Sequence, residues 1–121
     1  MIIALEDAKY QLTALREDLA ELGTQLRVEE LRATAADEEQ QTLDPSFWND
    51  PDRSSRILQS IKQKKDTIEG YERLCARLED ALALAELAIE SNDEDSVPEV
   101  QEELQAIIDE KEKQRIAVLL C

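Results

Sequence analysis

Leu5, Ala8, Leu12, Leu15, Leu19, Leu22 and Leu26 follow one another at alternating intervals of three and four residues. That spacing lays every side chain on one stripe of an α-helix and suits a seam against another helix. Charged and polar residues (Glu6, Lys9, Arg16, Glu17, Asp18, Glu21) occupy the remaining faces, so burial of the stripe, and not intrinsic propensity, holds the helix. Gly23 and Thr24 weaken its end, since glycine costs about 1 kcal/mol in a helix interior, and a stop or bend is expected there.

The same alternation returns after Pro51 in Ile57, Ile61, Ile68, Tyr71, Cys75, Leu78, Leu82, Ala85 and Ile89, interrupted at Lys64 and Lys65. No breaker stronger than Gly70 appears before Ser91-Asn92-Asp93. One helix of roughly forty residues, about 60 Å long, exceeds what a compact domain with a radius of gyration near ~14 Å can contain; the molecule is expected to be elongated. Between the two seams, Val28 to Thr42 is rich in helix formers with a thin, alanine-rich stripe, which predicts a short, partly exposed helix. Asp50-Pro51 reads as a helix start, a capping carboxylate before a proline that wastes no donor. Pro98 opens a last helix carrying Val97, Val100, Leu104, Ile107, Ile108, Ile116, Val118 and Leu119 on or near its apolar face, and its short connection makes it antiparallel to the long one. Helices are thus expected over about 3–22, 28–42, 51–91 and 98–119 of a single domain spanning 1–121. The fold class is all-α, an elongated antiparallel bundle or coiled-coil hairpin of three to four helices, with Cys75 buried.

Composition bears mainly on partners. Twenty-nine acidic against 14 basic side chains give a net charge of -15, a field that repels nucleic acid and anionic lipid except where a local cationic patch outcompetes it. Arg53, Arg56, Lys62, Lys64 and Lys65 make the only such stretch, five cations between residues 53 and 65 with no acid among them. Two readings stand: a solvated helix face, or a strip that meets a phosphate backbone. Phe47-Trp48, the only Phe and the only Trp, sits between Pro45 and Pro51. The pair reads as a structural anchor closing one end of the bundle, with a docking hot spot as the other reading.

Catalysis finds little to work with. The chain has no His, and glycine only at 23 and 70 leaves no phosphate-cradling loop. Carboxylate pairs on exposed helical faces lack the burial that splits pKa values, and Ser54 or Cys75 has no base to activate it. Asp93, Glu94, Asp95 and Glu99 lack the glycine and terminal glutamate of a calcium loop. Cys75 and Cys121 form neither a disulfide framework nor a metal pattern, and no apolar run is long enough for a signal peptide or membrane span. The expectation is a cytoplasmic, non-enzymatic protein without cofactor or metal.

Pro45-Ser46-Phe47-Trp48-Asn49-Asp50-Pro51, followed by Tyr71, Leu78-Glu79-Asp80, Leu84 to Ala88 and the acidic turn at Asp93 to Asp95, resembles the N-terminal domain of the bacterial peptide chain release factor 2 family, readers of UAA and UGA stop codons. The similarity runs nearly end to end, and the proline-bracketed Phe-Trp is its most specific part. The resemblance implies a helical domain that projects from a codon-reading and catalytic core and touches the ribosomal stalk base, protein and rRNA, near the partner GTPase release factor. It also implies that the Gly-Gly-Gln loop and the Ser-Pro-Phe codon reader belong to later domains, past Cys121; neither occurs here. Arg27 stands where the family commonly carries an acidic residue, so the segment after Gly23 is expected to differ. The rival reading is a free-standing coiled-coil scaffold or oligomerisation module, in which the same seams pair between chains.

Overall fold

The computed structural model describes residues 1–120; the chain-end thiol of Cys121 lies outside the described residues. Among the described residues, four α-helices and two short 3₁₀ turns follow one another: α1 (Ile3–Leu26), α2 (Val28–Gln41), a turn at Pro45–Asn49, α3 (Pro51–Glu90), a turn at Glu94–Ser96, and α4 (Val97–Leu119). No strand occurs among the described residues.

The register follows from cross-helix pairs. Arg16 meets Glu79, the Tyr71 hydroxyl reaches Leu19, Arg32 meets Glu72 and Lys64 meets Glu38, so α1 and then α2 run antiparallel along one side of α3. Arg77 meets Glu103 and Gly70 meets Gln114, which sets α4 antiparallel to α3 and alongside α1. Because α4 covers only the second half of α3, the molecule divides into a three-helix body and a two-helix arm made of α2 and the first half of α3.

The body's core is a single cluster drawn from three helices: Leu5, Ala8, Leu12, Leu15, Leu19 and Leu22 from α1, Leu74, Leu78, Ala81, Leu82, Ala85 and Ala88 from α3, and Val100, Leu104 and Ile107 from α4. The α1 seam is buried as its spacing predicts from Leu5 to Leu22, while Leu26 at its end is half-buried. On α3 the buried stripe is wider than the expected seam and is centred differently: Leu74, Ala81 and Ala88 are fully inside, while Tyr71, Cys75 and Ile89 are half-buried. The reason is geometric, since α3 has a neighbour on two sides. Cys75, expected to be buried, therefore sits at the margin of the core. At the other end of α4, Ile116 and Leu119 are exposed, a second departure from expectation. They lie where α4 passes the α1–α2 junction and an open groove floored by Leu26, Leu31 and Val118 separates the elements.

Helix α1 does not stop at residue 22. It runs on through Gly23 to Leu26 and breaks at Arg27, whose backbone is left-handed at φ 59° and ψ 46°. Glycine at 23 serves a close approach. A Cβ there would lie 2.5 Å from Tyr71 Oη and 2.8 Å from Tyr71 Cζ, and through this notch the Tyr71 hydroxyl donates a 2.7 Å hydrogen bond to the carbonyl of Leu19. Burial first, and the Cys75 thiol next, push the Tyr71 phenol up to about 12, so it remains a donor at neutral pH. The break at Arg27, four residues after Gly23, lets α2 swing clear of α1 while staying on α3. Gly23→Ala is expected to lower stability by about 1 kcal/mol. The alanine gains about 1 kcal/mol of helix propensity but forces Tyr71 out of its notch at an overpacking cost of about 2 kcal/mol. A rise in melting temperature on thermal denaturation would refute the steric account.

The α3–α4 connection is built by its own polar groups. Asp93 accepts hydrogen bonds from the Asp95 amide at 3.0 Å and from Ser96 Oγ at 2.7 Å, and Asn92 takes the left-handed backbone at φ 51° that asparagine tolerates better than most residues.

Candidate interaction surface at the arm tip

The arm ends in the segment Asp44–Pro51, where local chemistry leaves little freedom. Asp44 Oδ1 accepts from the Ser46 amide and from Ser46 Oγ, both at 2.9 Å, starting the 3₁₀ turn at Pro45. The Ser46 amide, followed by its hydroxyl, holds the Asp44 carboxyl below the usual carboxylate range. Asp50 then caps α3, its side chain accepting from the Arg53 amide at 3.2 Å, with Pro51 in the first turn. Ser54, 5% exposed and the only buried polar residue among the described residues, lies within donating reach of both the Phe47 carbonyl (2.6 Å) and the Asp50 carbonyl (2.8 Å). One hydroxyl thus ties the turn to the helix that follows it.

The aromatic pair splits. Phe47 is 1% exposed and fills the tip from inside, whereas Trp48 is 57% exposed. Trp48 is therefore not the second half of a buried anchor, because consecutive residues of a 3₁₀ turn point about 120° apart and only one can face the α2–α3 interface. The rings meet edge to face, with centroids 4.8 Å apart and planes at 87°, a geometry favoured by aromatic quadrupoles. Leu43, just before the turn, is 75% exposed.

Behind the tip, α2 is clasped to α3 by paired charges. Lys64 and Ser60 both donate to Glu38 Oε1, the latter at 3.1 Å, and Lys65 meets Glu39 at 3.1 Å. Burial pushes the Glu38 carboxyl up, yet the hydrogen bonds from Lys64 and Ser60 and the charge of Lys64 outweigh it and leave the group below its ordinary value. Lys62 pairs with Asp66 at 2.8 Å along its own helix, and that hydrogen bond raises the Lys62 ammonium above its usual value. Of the five cations in the basic stretch, three are thus matched to carboxylates. Arg53 donates from Nη2 to the neutral Gln41 Oε1 at 2.9 Å, and Arg56 has no partner among the described residues.

Sequence reasoning did not single out Glu38, Glu39, Ser54, Ser60 or Leu43. A signal was present for the clasp: adjacent acids at 38 and 39 and adjacent lysines at 64 and 65 flank a proline-bracketed turn, which in an antiparallel hairpin brings them level. No group of three or more potential metal ligands clusters among the described residues, and no helix among them is long and apolar enough to cross a membrane.

This architecture places the chain in the class of elongated helical-bundle domains with a projecting two-helix arm. Within that class it belongs to the PCRF domain family, whose model matches residues 30–121. It is 31% identical to peptide chain release factor 2 of Clostridium perfringens (strain SM101 / Type A) over 120 residues, covering 99% of this chain and 33% of that relative. Identity is 28% over 118 residues to peptide chain release factor 2 of Streptomyces avermitilis (98% of this chain, 32% of the relative). With the protein of that name from Acidothermus cellulolyticus it is 34% over 102 residues (84% and 28%). The chain spans about a third of the length of the curated relatives it matches. The similarity falls on the N-terminal region of release factor 2.

Proposed function

We propose that this domain is a non-catalytic, cytoplasmic positioning element of a peptide chain release factor. It contacts the ribosome at the stalk base and orients the codon-reading and hydrolytic domains that the relatives carry elsewhere in their length. The observation that carries the reading is the match of nearly the whole chain to about a third of release factor 2. Two structural features support it. The leucine seams that a coiled-coil scaffold would offer to other chains are already buried within this one, and the arm presents a rigid end well clear of the body. A GTPase partner would approach the same region of the ribosome.

Within the basic stretch the division of labour is physical. Lys64 and Lys65 hold α2 on α3 and Lys62 is matched by Asp66, so Arg53 and Arg56 are the cations left for an rRNA phosphate. Exchanging the lysines would damage the arm together with any contact. The informative variant is Arg53→Glu with Arg56→Glu, assayed by co-sedimentation of the 121-residue chain with bacterial ribosomes. Binding is expected to weaken about tenfold and to lose part of its salt dependence, because each phosphate contact contributes close to one unit of slope in log affinity against log salt. Unchanged affinity and slope would remove these arginines from the interface. Failure of the wild-type chain to bind would remove the ribosome-contacting role itself.

A further inference from the structure

We infer that Trp48 is the anchor of the arm, inserting into an apolar pocket on a ribosomal protein and not stacking on a nucleobase. This inference rests on the ribosome-contacting reading above and adds to it a particular side chain and a class of partner. A tryptophan 57% exposed, with Leu43 75% exposed just before the turn, is an unusual outlay of apolar surface in a chain carrying 36% charged residues. It is also held ready. The caps at Asp44 and Asp50, the hydroxyl of Ser54 and the edge-to-face contact with Phe47 fix the turn from below, so little conformational entropy is lost when the ring docks. Large, rigid, pre-ordered aromatic side chains are the commonest anchors of protein interfaces.

Charge decides between protein and RNA. Asp44, Asp50 and Asp52 all lie within four residues of Trp48, and the hydrogen bonds to Asp44 favour its ionised form. A nucleobase brought onto the indole would carry its phosphate toward these carboxylates. A protein pocket with an apolar floor and basic rim would instead complement both the ring and the acids around it. The nearby cations reduce this balance without reversing it: Lys64 and Lys65 are committed to Glu38 and Glu39, and Arg53 and Arg56, the two arginines left for phosphate farther along α3, stand against three aspartates closer to the ring in sequence.

The test compares the 121-residue chain with its Trp48→Ala, Trp48→Phe and Leu43→Asp variants in binding to intact bacterial ribosomes and to protein-free ribosomal RNA. On intact ribosomes, Trp48→Ala is expected to weaken binding about 30-fold, the loss typical of an aromatic hot spot. Trp48→Phe should retain most of the affinity. The slope of log affinity against log salt should stay unchanged, because an apolar contact releases no counterions. Leu43→Asp, at a position too exposed to unfold the tip, should weaken binding several-fold and guards against a folding defect in the first variant; circular dichroism of each variant checks helicity. Wild-type binding to ribosomes that neither Trp48→Ala nor Leu43→Asp reduces would overturn the inference and leave the proposed function standing. Trp48-dependent binding to protein-free RNA would overturn it in favour of base stacking. A wild-type chain that binds no ribosome would overturn both.

Discussion

Phe47→Ala is expected to destabilise the arm by about 3–4 kcal/mol, and to do so locally. Removing a fully buried phenylalanine ring costs about 3–5 kcal/mol, from lost transfer energy and the cavity left behind. The site has few neighbours with which to close that cavity. Phe47 is 1% exposed, yet it lies outside the main cluster; the other buried apolar side chains outside that cluster among the described residues are Val28, Ala35 and Ile68, all smaller than Phe47. Without it, Ser54 loses the carbonyl geometry it bridges, and the second half of α2 keeps only Ala35 as a buried apolar contact beside its clasp of charges, which at partly exposed sites contribute little. Native-state hydrogen exchange should therefore register lost protection across the second half of α2 and the first turns of α3, while α1, α4 and the second half of α3 keep theirs. Protection falling evenly along the whole chain would mean that body and arm unfold as one unit, contrary to the separate interiors described above.

Leu12→Ala addresses the body and should act on all of it. Leu12 is 0% exposed at the centre of the α1 seam and belongs to the cluster shared by α1, α3 and α4. Truncation there should cost about 3 kcal/mol and lower the melting temperature by about 10 °C, given the entropy of unfolding of a domain this size. Tyr10→Ala, two residues away but 77% exposed, should change stability by less than about 0.5 kcal/mol. Chemical denaturation of the pair measures the difference directly. Comparable effects at the two positions would mean that α1 packs with a different face inward.

Much of this architecture was legible in the residues, for a definite reason. A period of three and four is set by helix geometry alone, so the α1 stripe could be read without knowing its partner. The stripe on α3 could not be read so well, because which of Leu74, Tyr71, Ala81 or Cys75 goes inside depends on how many helices surround α3. Gly23 misled for a related reason. Local propensity marks it as a weak point, whereas the fold uses its missing side chain to seat Tyr71 from nearly fifty residues away, and the true break falls on Arg27. At the tip, the prolines and aspartates announced a rigid turn, but not which ring of Phe47-Trp48 would face outward, a matter of rotation within a single turn. The basic stretch was visible as a run of charge. Its absorption into Glu38, Glu39 and Asp66 appears only when α2 lies level with α3 and Lys62 is followed one turn along its own helix.

Helix α3 serves both parts of the molecule at once. The same unbroken helix is the floor of the body and half of the arm, about 60 Å from Pro51 to Glu90, without a proline or a positive-φ residue inside it to act as a joint. Mechanically it is a strut. A tilt of only 5° imposed at one end displaces the other by about 5 Å over that length, so the seat of Trp48 and the orientation of whatever is joined to the body are geared together through a single stiff member.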